Sequence, residues 1–122
     1  MMNIGMISRR VAAGLSATGF EARHAYSQFW SRAPVIVWRE SGNRSAARAD
    51  GSELLSELEY TLDIYALAQE EGTRMAEASD AAMTELGLQR TYATELFESD
   101  VKLHHRVMRY RCIVDEQGNI YQ

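Results

Sequence analysis

Three side-chain types in this chain could support chemistry: histidine, cysteine and clustered carboxylates. His104 and His105 are adjacent. On a strand, neighbouring side chains point to opposite faces, so the two cannot chelate one ion together. His24 lies far away in sequence, and a zinc site needs several Cys or His at ligand spacing. Cys112 is the only cysteine. It would need a base and an electropositive pocket to act as a nucleophile, whereas Tyr110 and Val114, two residues to either side, mark it as a small buried hydrophobe. A lone cysteine also forms no internal disulfide, so a reducing interior, or no dependence on redox state, is expected. Glu53, Glu57, Glu59, Asp63, Glu70 and Glu71 could supply an acid/base pair, but their spacing is that of a solvated face. Gly42 and Gly51 sit in neither a GxxxxGK[ST] nor a GxGxxG frame, so no phosphate loop is present. No catalytic residue, cofactor site or metal site is therefore assigned, no cofactor is expected, and the sequence makes no positive case for an enzyme.

The remaining chemistry is in arginine. Twelve of the thirteen basic residues are Arg, the side chain that pairs bidentately with carboxylates. The signs are unevenly distributed, with net charges of +4 over residues 1–50, −10 over 51–100 and +2 over 101–122. Such a chain suits head-to-tail contact between copies of itself, although folding can simply interleave the two signs. Arg106, Arg109 and Arg111 flank Tyr110 and could form a basic strand that binds nucleic acid. Tyr110, however, points away from Arg109 and Arg111, and the chain is acidic at −4. Pairing of these Arg residues with the acidic middle segment, within or between copies, is preferred.

The elements that position these groups follow from periodicity. Ile4, Ile7, Val11 and Leu15 recur at helical spacing and predict a helix over 4–17, ended at Thr18-Gly19. Residues 20–33 mix Phe20, Tyr26, Phe29 and Trp30 with polar groups and read as a connection with a short strand near 24–26. Val35-Ile36-Val37-Trp38 is a strand led by Pro34. Residues 41–52 are small, polar and Gly-containing and predict a flexible loop. Residues 59–67 alternate: Tyr60, Leu62 and Ile64 face one way, and Thr61, Asp63 and Tyr65 the other. A helix follows from Ala68 to Leu86 with a stripe of Met75, Ala78, Ala82, Met83 and Leu86. Glu70 and Glu71 lie in its first turn and Gly87 caps its end. Residues 88–96 and 101–114 are strands, and Met108, Tyr110, Cys112 and Val114 share a face of the second. Residues 115–119 turn into a short returning strand at Ile120-Tyr121.

The expected architecture is α+β. A mostly antiparallel sheet of four to five strands carries an N-terminal helix and one central helix on one face. Residues 1–122 are expected to form a single domain. No 18-residue stretch is apolar enough to span a membrane, and the first residues lack a secretory pattern.

The second half carries motifs of a known family. These are EYTLDIYA at 59–66, a helix opening with Gln69-Glu70-Glu71 and running into TELGLQRT at 84–91, and RVMRYR at 106–111 followed by Val114-Asp115. In these motifs the chain resembles the tail completion, or tail terminator, proteins of long-tailed bacteriophages and prophages. The element order resembles that family over about 4–121. Leu88 stands where the family more often has an aromatic, and the Arg-rich stretch at 43–48 matches no family motif.

The resemblance implies a structural virion protein of the tail or neck, made in the host bacterial cytoplasm. It implies a ring, a hexamer in the virion, that ends the tail tube and joins it to the head. The implied partners are copies of the chain itself, the tail tube protein and a head-side connector or stopper protein; no membrane is expected, and nucleic acid is the less favoured partner. Arg106, Arg109 and Arg111, together with Arg44 and Arg48, are the expected contact residues, with Glu70, Glu71 and Glu77 as their acidic counterparts. The alternatives are another neck or minor tail component, or a small cytoplasmic nucleic-acid-binding module.

Overall fold

The structure is a computed structural model and describes residues 5–24, 32–49 and 51–121, apart from the side chains of Ser52 and Glu53. The expected strand at 24–26 and the aromatics Tyr26, Phe29 and Trp30 fall partly or wholly outside these residues, as does Ile4. The elements, in chain order, are α1 (Gly5–Ser16), β1 (Ala22–His24), β2 (Val35–Ala49), β3 (Ser52–Ala66), α2 (Gln69–Glu85), β4 (Gln89–Glu98), β5 (Leu103–Asp115) and β6 (Ile120–Tyr121). Two helices and a six-stranded, mostly antiparallel sheet make the fold α+β, as expected. Among the described residues no helix is long and apolar enough to cross a membrane.

The sheet order is β1-β2-β3-β5-β4, with β6 on β5. Among the described residues β1–β2 is the one parallel pair. The β2–β3, β3–β5 and β5–β4 pairs are antiparallel, so β3 and β4 point the same way with β5 between them. α2 makes the crossover that this arrangement requires.

Both helices lie on one face. Ile7, Val11 and Leu15 of α1 and Met75, Ala76 and Met83 of α2 pack on Ile36, Trp38, Leu58, Tyr60, Leu62, Ile64, Met108, Tyr110, Cys112 and Val114. These are the alternate residues of β2, β3 and β5 that a period of two sends to one side. The α2 stripe differs slightly from expectation: Gly72, Ala76 and Ser79 are buried, while Ala78 is only half-buried. Gly72 is buried against the sheet, where a Cβ would meet that of Ala66 at 3.4 Å, an ordinary contact.

Capping is explicit at the end of α2. Gly87 has φ +97°. The Gly87 N–H donates to the Thr84 carbonyl (2.9 Å) and the Leu88 N–H to the Met83 carbonyl (3.1 Å), which makes a Schellman motif. At the helix start Glu71 accepts the Leu67 N–H at 3.0 Å.

The stretch expected to be a loop, 41–52, is corrected by the structure. It forms the outer arms of a long hairpin: β2 continues to Ala49 and β3 begins at Ser52, paired almost to the tip. Register shifts at Glu40/Gly42, Ser45/Ala47 and Ala47/Arg48 accommodate its small residues. Cross-strand polar pairs hold it. Arg44 is ion-paired with Glu57, Ser41 donates to Glu59 at 2.9 Å, and Thr61 donates to Ser41 at 2.8 Å.

Candidate interaction surface

The sheet face opposite the helices carries a row of charged and polar groups. Strand alternation places Arg39, Thr61, Asp63, Tyr65, His105, Arg109 and Arg111 there, together with Tyr92, Leu96 and Glu98 of β4. A small apolar cluster of Val35, Val37, Tyr65 and Leu103 lies at one end of this face.

Two polar chains cross the face, each touching β2, β3, β5 and β4. The first runs Arg39–Asp63–His105–Glu98. Arg39 Nη1 lies 3.3 Å from Asp63 Oδ2, His105 Nε2 lies 2.7 Å from Asp63 Oδ1, and His105 Nδ1 lies 2.9 Å from Glu98 Oε1. An ionised carboxylate only accepts, so both ring nitrogens donate and the imidazole is held as a cation. Burial opposes that charge. The hydrogen bonds and charges of Asp63 and Glu98 outweigh it and raise the pKa. Tyr65 stacks on the ring at 4.4 Å.

The second chain runs Arg44–Glu57–Arg111–Gln89. Arg111 donates to Glu57 at 2.9 Å and to Gln89 at 3.2 Å. Hydrogen bonds from Arg111 and then Arg44 hold the Glu57 carboxyl below its ordinary range.

The expected contact residues are thus dispersed. Arg106 lies on the helix face, not beside Arg109 and Arg111. It reaches Glu95 at 2.5 Å and donates to Thr73 at 3.0 Å. Arg109 is exposed and stacks over Tyr92, 4.9 Å from the ring centre. Arg44 and Arg48 lie on the exposed hairpin. Glu71 serves the start of α2, while Glu70 and Glu77 are exposed on its surface. Glu77 borders an open pocket between α2 and β4 with Thr73, Asp80, Arg90 and Arg106. There Asp80 accepts from Tyr110 at 2.6 Å and pairs with Arg90 at 3.3 Å.

The sequence does not single out Asp63, His105, Arg39 and Glu98 as a group. It carries one signal, an Asp inside an otherwise apolar strand. Its partners Arg39 and His105 lie 24 and 42 positions away in the chain, and Glu98 joins through His105, so only the strand register brings them together.

Cys112 is 2% exposed, and burial pushes its thiol up to about 11, so it is a core residue. Among the described residues no group of three or more His, Cys, Asp and Glu could hold a metal ion. His104 and His105 face opposite sides: His104 meets Phe97 edge-on at 5.2 Å, and His105 lies in the first polar chain.

The solvent-exposed residues include Arg44 and Arg48 on the hairpin and Tyr92, Leu96 and Arg109 on the sheet. The family model described as Tail completion protein gp17 matches residues 16–115. The chain belongs to that family. The match extends upstream of the 59–114 motifs and takes in the hairpin that resembled no family motif. Membership gives the chain a structural role in a phage tail. Among curated proteins none matches the chain.

Proposed function

We propose that this tail completion protein ends the tail tube by forming a ring at its head-proximal end and joins the tube to a head-side connector. The observation that carries the reading is the family match over 16–115. The structure supports it with a six-stranded sheet on which Arg44, Arg48, Tyr92 and Arg109 are exposed.

In this reading the chain acts by contact and not by catalysis. Its partners are copies of itself, a hexamer in the virion, along with the tube protein and the connector or stopper. Synthesis takes place in the bacterial cytoplasm. Arg109, Arg44, Arg48, Glu70 and Glu77 are the outermost of the expected contact residues. Arg106, Arg111 and Glu71 act by fixing the strands and the helix that present them.

A tagged chain located by gold labelling in intact virions tests the reading. Label confined to the junction of head and tail is expected. Label along the tube or at its distal tip would contradict it and favour a minor tail component.

A further inference from the structure

β4 closes the strand order at one end and β1 at the other. From Tyr92 to Glu98 β4 stays in register with β5 and contains neither Lys nor Pro. Tyr92, Leu96 and Phe97 on it are 46%, 47% and 55% exposed. An unbroken edge strand with exposed apolar side chains is a template for pairing with another strand. β1 is short, Ala22–His24, and Arg23 and His24 on it are exposed.

The strand register sets these two ends level. Through successive strand partners Ala22 stands in line with Ile36, Ile64, Arg106 and Glu95. Arg23 stands in line with Val37, Asp63, Val107 and Thr94, and His24 with Trp38, Leu62, Met108 and Ala93. A second copy placed beside the first, at the same height and in the same orientation, therefore brings its Ala22–His24 opposite Ala93–Glu95.

Strand sense agrees with this. β1 runs parallel to β2, and β2, β3, β5 and β4 alternate in direction, so β1 and β4 run in opposite senses. The added strand is antiparallel to β4, the more stable of the two pairings.

Charge selects the occupant. Tyr92–Glu98 carries Glu95 and Glu98 and no basic residue. A second β4 on this edge, about a twofold axis, would bring four carboxylates together, which like-charge repulsion disfavours. β1 brings Arg23 and His24 instead. Alternation places Arg23 on the face opposite the helices, level with Thr94 and between Tyr92 and Leu96, where its aliphatic stem covers their exposed surface.

We infer that the outer edge of β4, centred on Ala93–Glu95, takes β1 of a second copy, joining copies head to tail into one continuous sheet. The contact is heterologous, so its repetition closes a ring or winds a filament. This inference rests on the self-assembly in the function proposed above and names the strands that carry it.

Cross-linking in tails that carry the variant chain tests it. Arg23→Cys is combined in turn with Tyr92→Cys, Thr94→Cys and Leu96→Cys, which share one face and cover the stagger that closing a sheet imposes. His24→Cys with Ala93→Cys is a further pair on the other face. Facing strands bring Cβ atoms within disulfide reach. At least one double variant is expected to give a ladder of dimers, trimers and higher multiples, while each single variant gives none. Circular dichroism confirms that each variant is folded, and electron microscopy shows whether a ring stands at the tail end. Dimers from Thr94→Cys alone, at the same yield as from the double variants, would establish a twofold β4 contact and overturn the inference. No ladder from any pair, with the ring visible, would overturn this pairing and leave the tail-end role standing. No ring at the tail end, even with the unsubstituted chain, would overturn both.

Discussion

His105 is held as a cation by Asp63 and Glu98, and this gives stability a pH dependence. Its folded pKa is raised above the ordinary 6.5. The favourable contribution is therefore complete below about 6.5 and is lost as pH rises through the folded value. Denaturant melts between pH 6 and 9 should show stability falling across that window. His105→Gln should lower stability by about 1–2 kcal/mol at pH 6 and flatten the fall. Glu40 behaves in the opposite way to a well-paired carboxylate. One of its oxygens is buried without a hydrogen-bond partner. Burial raises its pKa against the lowering effects of Tyr60 and His24. Its ionisation thus costs stability as pH rises past the ordinary carboxylate range. Glu40→Gln should raise the melting temperature at pH 7 and have little effect at pH 4.

At the scale of elements, the chain is legible wherever one face is apolar. α1, β3, α2, β5 and β6 lie within two residues of their expected bounds, or extend beyond them, because Ile7-Val11-Leu15 and Tyr60-Leu62-Ile64 each mark a single buried face. The hairpin is not legible. Ser41-Gly42-Asn43-Arg44-Ser45 has the composition of a loop, and its strand character comes from partners 13 to 20 residues away, Glu57, Glu59 and Thr61. For the same reason the two polar chains cannot be read from sequence, since local pattern gives the face of a residue but not its cross-strand neighbour. Arg106, Arg109 and Arg111 look like one group in sequence, yet alternation places Arg106 on the helix face and the other two opposite. The Schellman cap gives an element-level prediction. A Cβ at Gly87 would meet Ile120 Cγ2 at 3.2 Å, in a backbone conformation with φ +97°. Gly87→Ala should cost about 1–2 kcal/mol in equilibrium unfolding, with α2 and β6 losing hydrogen-exchange protection first.

At the scale of the molecule, both helices pack on one face of the sheet. On the other face two polar chains tie β2, β3, β5 and β4 together. Whether the chain joins tail to head is decided by electron microscopy of a lysate in which only this gene is disrupted. Filled heads should lie apart from tails, the tails should have irregular length or unsealed upper ends, and the gene supplied in trans should restore whole particles. Intact, infectious virions in that lysate would contradict the joining role.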